Sequence, residues 1–177
     1  MADSDATVKQ EAGIDRAARL ARADTLVKDH MLMSAAVGLI PIPGVDVLGG
    51  IGVQLGLIKR LTTLYGVTFS ENAARGIVMT LLGGVGSGVL AGGLFASAVK
   101  LMPGAGTVFG IASMPVAISA ITYAVGKVFI AHLETGGSLT DFDAAANRGY
   151  FKDLVHRGRQ AASGMSTPLA AKDPAKP

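Results

Sequence analysis

The sequence predicts an all-α fold: a helical membrane protein with a glycine-rich transmembrane hairpin, a broken apolar helical hairpin and amphipathic terminal helices. Three observations predict it. Half of the residues are apolar and only 16% are charged, with a mean hydropathy of +0.46, whereas a soluble domain carries about 25% charged residues to coat its surface. No charged side chain falls between Gly76 and Val99, nor between Thr107 and Gly126. Small residues return at every fourth position of the first of these stretches, at Gly76, Thr80, Gly84, Gly88, Gly92 and Ala96. A chain of 177 residues has the length of one domain with tails.

The elements follow in order. Residues 1–30 predict an N-terminal amphipathic helix, with Ala17, Leu20, Ala21, Val27 and Met31 broadly on one side and Asp15 with Arg19 and Asp24 with Lys28 as i,i+4 pairs on the rest. Asp3, Asp5, Lys9 and Glu11 stand where a secretory signal would need an apolar run, so insertion is expected to rely on internal spans. Residues 31–139 predict the membrane-embedded core. Its first part, Met31 to Ile58, is interrupted by Pro41, Pro43 and Asp46. Each half is too short to cross a bilayer alone, which predicts a broken helical hairpin. Pro43 suits the first turn of the second half, where a missing N–H costs nothing, and Asp46 then meets the positive end of that helix. An intramembrane ionisable role for Asp46, with Lys100 or Lys127 as partner, is the alternative.

The stretch from Gly76 to Val99 would rise about 36 Å as a helix, enough for a hydrocarbon core of about 30 Å. The break at Pro103 precedes a second span, about 30 Å long, from Thr107 to Gly126. Gly106, Gly110, Ala120 and Ala124 give that span a small-residue side, so the two are expected to pack as a glycine-zipper hairpin, because helices in lipid associate through close approach of small residues. Pro115 is expected to kink the second span. Lys59, Arg60, Arg75 and Lys127 flank the open end of the hairpin and only Lys100 marks its tip, which predicts both termini in the cytoplasm.

Residues 140–162 predict a C-terminal amphipathic helix begun by a capping-box-like pair, Thr140 and Asp143, with Arg148, Lys152, His156 and Arg159 on its basic side. That side either lies on anionic headgroups or remains solvated while the apolar side packs on the domain. Residues 163–177, rich in Ala, Lys and Pro, predict a disordered tail.

Chemistry is represented mainly by what is missing. There is no cysteine, no GxxxxGK[ST] phosphate loop and no HExxH pair, and His30, His132 and His156 are scattered. The formal net charge of +3 comes with no interleaved aromatic and basic surface for nucleic acid. The residues point to no catalytic site, no cofactor and no metal, and to a protein that is not an enzyme.

The runs PIPGVDVLGGIGVQLGLIKRLTTLYGV, from Pro41 to Val67, and TYAVGKVFIAHLETGGSLTDFD, from Thr122 to Asp143, together with the glycine-rich span between them, resemble the YcjF-like domain-of-unknown-function family of bacterial membrane proteins. The resemblance covers roughly Met31 to Arg159. It implies a helical inner-membrane domain, commonly fused to or encoded beside a Ras/Era-like GTPase, and draws attention to Pro41, Pro43, Asp46, Tyr65, Gly66 and Gly126. This chain carries no GTPase domain, so a GTPase would be a partner in trans. The expected function is a non-enzymatic integral membrane anchor or adaptor of the bacterial cytoplasmic membrane that organises such a partner. A membrane-shaping protein, or an oligomeric pore or transport component, is the alternative. Lipid, a protein partner and further copies of the chain are the expected contacts.

Overall fold

The computed structural model describes residues 2–38, 45–84 and 106–170, with side chains for 13–38, 49–83 and 115–164. Among the described residues all regular structure is helical: α1 (Ala2–Gly38), α2 (Val45–Leu64), α3 (Glu71–Gly84), α4 (Gly106–Glu134) and α5 (Arg148–Ala170). The helix α4 is the centre of the bundle and packs most extensively on α1 and α5, while α2 leans on α1 and α4, and α3 on α2.

The N-terminal amphipathic helix and the first half of the broken hairpin are one continuous rod. The helix α1 runs through residue 30 to Gly38 without a break, about 55 Å at 1.5 Å per residue. It is not a free arm, because Ala23, Val27 and Met31 are buried in the main core with Leu57, Val125 and Phe129. The helix α2 likewise extends past Ile58 to Leu64.

Two helices end in the same way, and the sequence shows why. The Gly66 N–H donates to the Thr63 carbonyl and the Val67 N–H to that of Thr62, while Gly66 adopts φ +69°. The Gly136 and Gly137 N–H groups reach Leu133 and His132 in the same pattern, with Gly136 at φ +83°. Both are Schellman caps, in which glycine takes the left-handed residue that satisfies the last carbonyls. Ser70 opens α3, its Oγ accepting the Ala73 N–H at 3.4 Å.

The segment between α4 and α5 departs from expectation. Thr140 and Asp143 do not start the last helix, which begins at Arg148. Asp143 instead caps a short turn by accepting the Ala145 and Ala146 N–H groups at 2.9 Å. The apolar reason is Phe142, which tucks back under α4, stacked on Phe129 at 4.9 Å and edge-on to His132. At its other end α5 continues to Ala170, past residue 163 where a structureless tail is expected.

The glycine-zipper hairpin falls largely outside the described residues, and Gly88, Gly92, Ala96 and Pro103 lie there, as do Pro41 and Pro43. Among the described residues one stretch, Pro115–Glu134, is long and apolar enough to cross a membrane, and 61% of its most apolar window is buried within the bundle. It is a core helix as well as an apolar one, and it passes through Pro115 as a single helix.

Candidate functional site at a charge boundary

The helix α4 runs antiparallel to α1, as the cross-links between them show: Ser34 meets Thr122, Asp24 meets Lys127, and Arg19 meets Glu134. The same antiparallel sense relates α4 to α5, since Phe142 touches Phe129 and Gly158 lies against Ala120. This arrangement sorts the charges. No Asp, Glu, Lys or Arg occurs in residues 30–38 of α1, 47–58 of α2, 76–84 of α3, 106–126 of α4 or 160–170 of α5. Contacts of Gly49 with Val37, Gly50 with Ile118 and Gly56 with His30 place the uncharged stretches of α1, α2 and α4 side by side at one end of the bundle. The charge-pairing residues of α1 and α4, Arg16, Arg19 and Asp24 with Lys127 and Glu134, lie toward the other end, while Asp46 in the first turn of α2 and Arg157 and Arg159 beside Gly158 fall outside this sorting.

At the charged end Glu134 is the organising group. Its carboxylate is 7% exposed and receives Arg16 Nε at 2.7 Å and Arg19 Nε at 3.2 Å. Burial alone would raise its pKa, but the arginine hydrogen bonds, the nearby Tyr65 hydroxyl and the Arg19 charge outweigh that and hold it down at about 2. The Arg19 guanidinium also lies over the Tyr65 ring, 5.1 Å from its centroid. Tyr65 Oη is buried close to this carboxylate, without a hydrogen bond of good geometry. Burial first, then the adjoining Glu134 carboxylate, by hydrogen bonding and by its charge, push the phenol up to about 12. These pairs replace the expected local ones: Arg19 turns to Glu134 rather than Asp15, and Asp24 to Lys127 rather than Lys28. A helical i,i+4 pair is worth about 0.3–0.5 kcal/mol, less than a charge-assisted bond to a buried carboxylate.

The boundary itself is marked by Lys127, whose Nζ binds Asp24 Oδ1 at 2.8 Å and sits 5.8 Å from the Tyr123 ring centroid. Beyond it the helices approach closely. A Cβ on Gly126 would collide with the Val27 side chain, and one on Gly158 would meet the Ala120 carbonyl oxygen at 2.7 Å.

Deeper in the uncharged end lies a small polar chain. The Thr122 hydroxyl donates to the Ile118 carbonyl, so it can only accept from Gln54 Nε2 at 3.0 Å and from Ser34 Oγ at 2.6 Å. Ser119 donates to the Met31 carbonyl at 2.8 Å. Gln54 Oε1 is buried with no partner.

The sequence-derived positions separate into groups. Ala120 and Ala124 are fully buried, and Ala120 is packed against Gly158 of α5. Gly76 has open space where its side chain would be. Gly84, Gly106, Gly110 and Asp46 lie in helices whose side chains at those points are outside the described set, Asp46 in the first turn of α2. Pro115 is buried in α4, and Arg148, Lys152, His156 and Arg159 are all exposed on α5. Sequence reasoning missed the Glu134 clasp. Its signal was a lone carboxylate at the foot of a long apolar helix, with two arginines three residues apart elsewhere. Among the described residues no group of His, Cys, Asp and Glu is arranged to hold a metal ion.

Residues 5–157 match the family described as Domain of unknown function (DUF697). Magnetosome membrane protein 22 of Magnetospirillum gryphiswaldense is 36% identical to this chain over 144 residues, which cover 80% of this chain and 72% of that protein. No solved structure matches.

Proposed function

We propose a function for this chain, which belongs to the DUF697 family of domains of unknown function: it is a non-catalytic, membrane-associated helical module. Its uncharged end enters the bilayer and its charged end faces the cytoplasm, where it organises a protein partner. The sorting of charge along the bundle carries this reading. Of the five large apolar side chains left exposed among the described residues, three, Leu32 at 56%, Met33 at 50% and Met79 at 54%, lie in the uncharged stretches, where hydrocarbon would cover them, while Ile14 and Tyr150 lie in charged ones. The name of the magnetosome membrane protein, a relative over most of both chains, supports the same placement. So does the polar chain of Ser34, Gln54 and Thr122, because hydroxyls and amides that bond one another across helices hold membrane bundles together.

Positive-inside bias then sets the charged end, with Lys59, Arg60, Arg75 and Lys127, in the cytoplasm of a bacterial inner membrane. The partner surface is the exposed basic face of α5, formed by Arg148, Lys152, His156 and Arg159. The YcjF-like resemblance makes a GTPase in trans the partner of choice, an argument from fold-level analogy. Partner organisation resides in this face, since α1 and the apolar side of α5 both pack on α4.

The test is fractionation of the expressed protein with an alkaline carbonate wash, with Leu32→Lys/Met79→Lys as the variant. Retention of the parent in the washed pellet is expected. Each lysine opposes insertion by about 2.5–3.5 kcal/mol near the bilayer centre, so the double variant should move to the supernatant while remaining helical by circular dichroism. Release of the parent protein into the supernatant refutes membrane insertion.

A further inference from the structure

We propose that the groove between α1, α4 and α5 seats one anionic phospholipid at the charge boundary, its phosphodiester on Lys28 and Lys127 and an acyl chain along Met31, Leu32 and Ala161. The proposal rests on the membrane reading above and specifies what the membrane supplies. The groove has a volume of about 560 Å³, within the range of about 300–1,000 Å³ usual for small-ligand sites. Its chemistry is graded along its length. Asp24, Lys28 and Lys127 stand at one end, and Met31, Leu32 and Ala161 continue into the uncharged end. The Lys127 ammonium is already bound to Asp24, while Lys28 is exposed and has no ion-pair partner among the described residues. Two lysines against one aspartate leave the mouth with one positive charge, the complement of a phosphodiester. Tyr123 lines the wall at the same level, an amphipathic ring where headgroup gives way to acyl chain. Leu32 is 56% exposed although it lines the groove, so the protein leaves an apolar side chain uncovered where a lipid chain would cover it.

The occupant is a lipid and not a free phosphate, because most of the lining is apolar and would gain nothing from a headgroup alone. The full chain, purified in dodecyl maltoside and stripped of lipid, is mixed with dioleoylphosphatidylglycerol or dioleoylphosphatidylcholine and examined by native mass spectrometry. One phosphatidylglycerol is expected to remain bound where phosphatidylcholine does not. Lys28→Gln should weaken binding about fivefold, the worth of one cation at an anionic membrane surface. Ala161→Phe, which fills the apolar wall without touching a charge, should remove the bound lipid while the thermal melt stays close to that of the parent.

Equal retention of the two lipids, retention by a folded Ala161→Phe protein, or displacement by millimolar glycerol 3-phosphate would overturn the assignment. Should Ala161→Phe not fold, unchanged affinity in Lys28→Gln overturns it alone. A parallel carbonate wash separates the two readings. Protein that stays in the pellet yet binds no phosphatidylglycerol overturns the groove only, and protein released to the supernatant overturns both.

Discussion

At the charged end of the bundle a single buried carboxylate, Glu134, gathers two arginines from a helix more than a hundred residues away in sequence, while at the uncharged end Gly126 and Gly158 let helix backbones approach until a methyl group would not fit. The same central helix is therefore held by electrostatics at its foot and by shape above it. The difference follows from solvent. Water screens and competes at the foot, so an ion pair is effective there only because Glu134 is 7% exposed. Above Lys127 the α4 helix itself carries no charge to pair, and its contacts depend on how closely the helices approach and on short hydroxyl bonds.

The contrast is broken most sharply at Gly126. Gly126→Leu drives a side chain into Val27 and Leu57, and Val27 is β-branched and stiff within its helix. A loss of about 3 kcal/mol or more is expected, read as a lower denaturation midpoint in detergent. An unchanged midpoint would mean that α1 and α4 are not in close contact there.

Glu134→Gln tests the foot and should cost about 2 kcal/mol, the range for hydrogen bonds to a charged group. Its effect has a pH signature. The carboxyl of the folded protein lies at about 2, below the ordinary 4.5, so its contribution is complete above pH 4.5 and disappears as the pH falls toward 2. The parent should lose stability across that window by thermal melting, and the glutamine variant should lack that part of the loss. Parallel curves for the two proteins would remove Glu134 from its organising role.

The smallest effect is expected at Gly76, which faces open space. Gly76→Ala should gain up to about 1 kcal/mol from helix propensity. Destabilisation, or a smaller particle on gel filtration in detergent, would show that another helix or another copy occupies that face, as the four-residue repeat from Gly76 to Ala96 predicts.

The all-helical class was legible in the sequence, since the uncharged stretches indicate apolar helices. Sequence reasoning missed Gly66 and Gly136 as the closing residues of two helices. What else stayed hidden was long-range. Asp15 with Arg19 and Asp24 with Lys28 have suitable spacing for local pairs, yet Arg19 and Asp24 look across to α4 because a buried partner outcompetes a solvated one. The change from polar to apolar at residue 31 reads as an element boundary, although backbone propensity does not change there and α1 continues to Gly38. Thr140 and Asp143 have the letters of a helix start, but Phe142 gains more by stacking on Phe129, and the helix waits until Arg148. The Glu134 clasp needs α1, α4 and the turn after α2 to be in place and has no local pattern.

The partners of α1 also impose a schedule on synthesis. Asp24 meets a lysine encoded 103 residues later, and at about 5–20 residues per second a ribosome needs roughly 5–20 s to supply it. For that interval Ala23, Val27 and Met31, buried in the finished bundle, have no α4 to cover them. The apolar face of the nascent N-terminal helix therefore stays uncovered until α4 has been made.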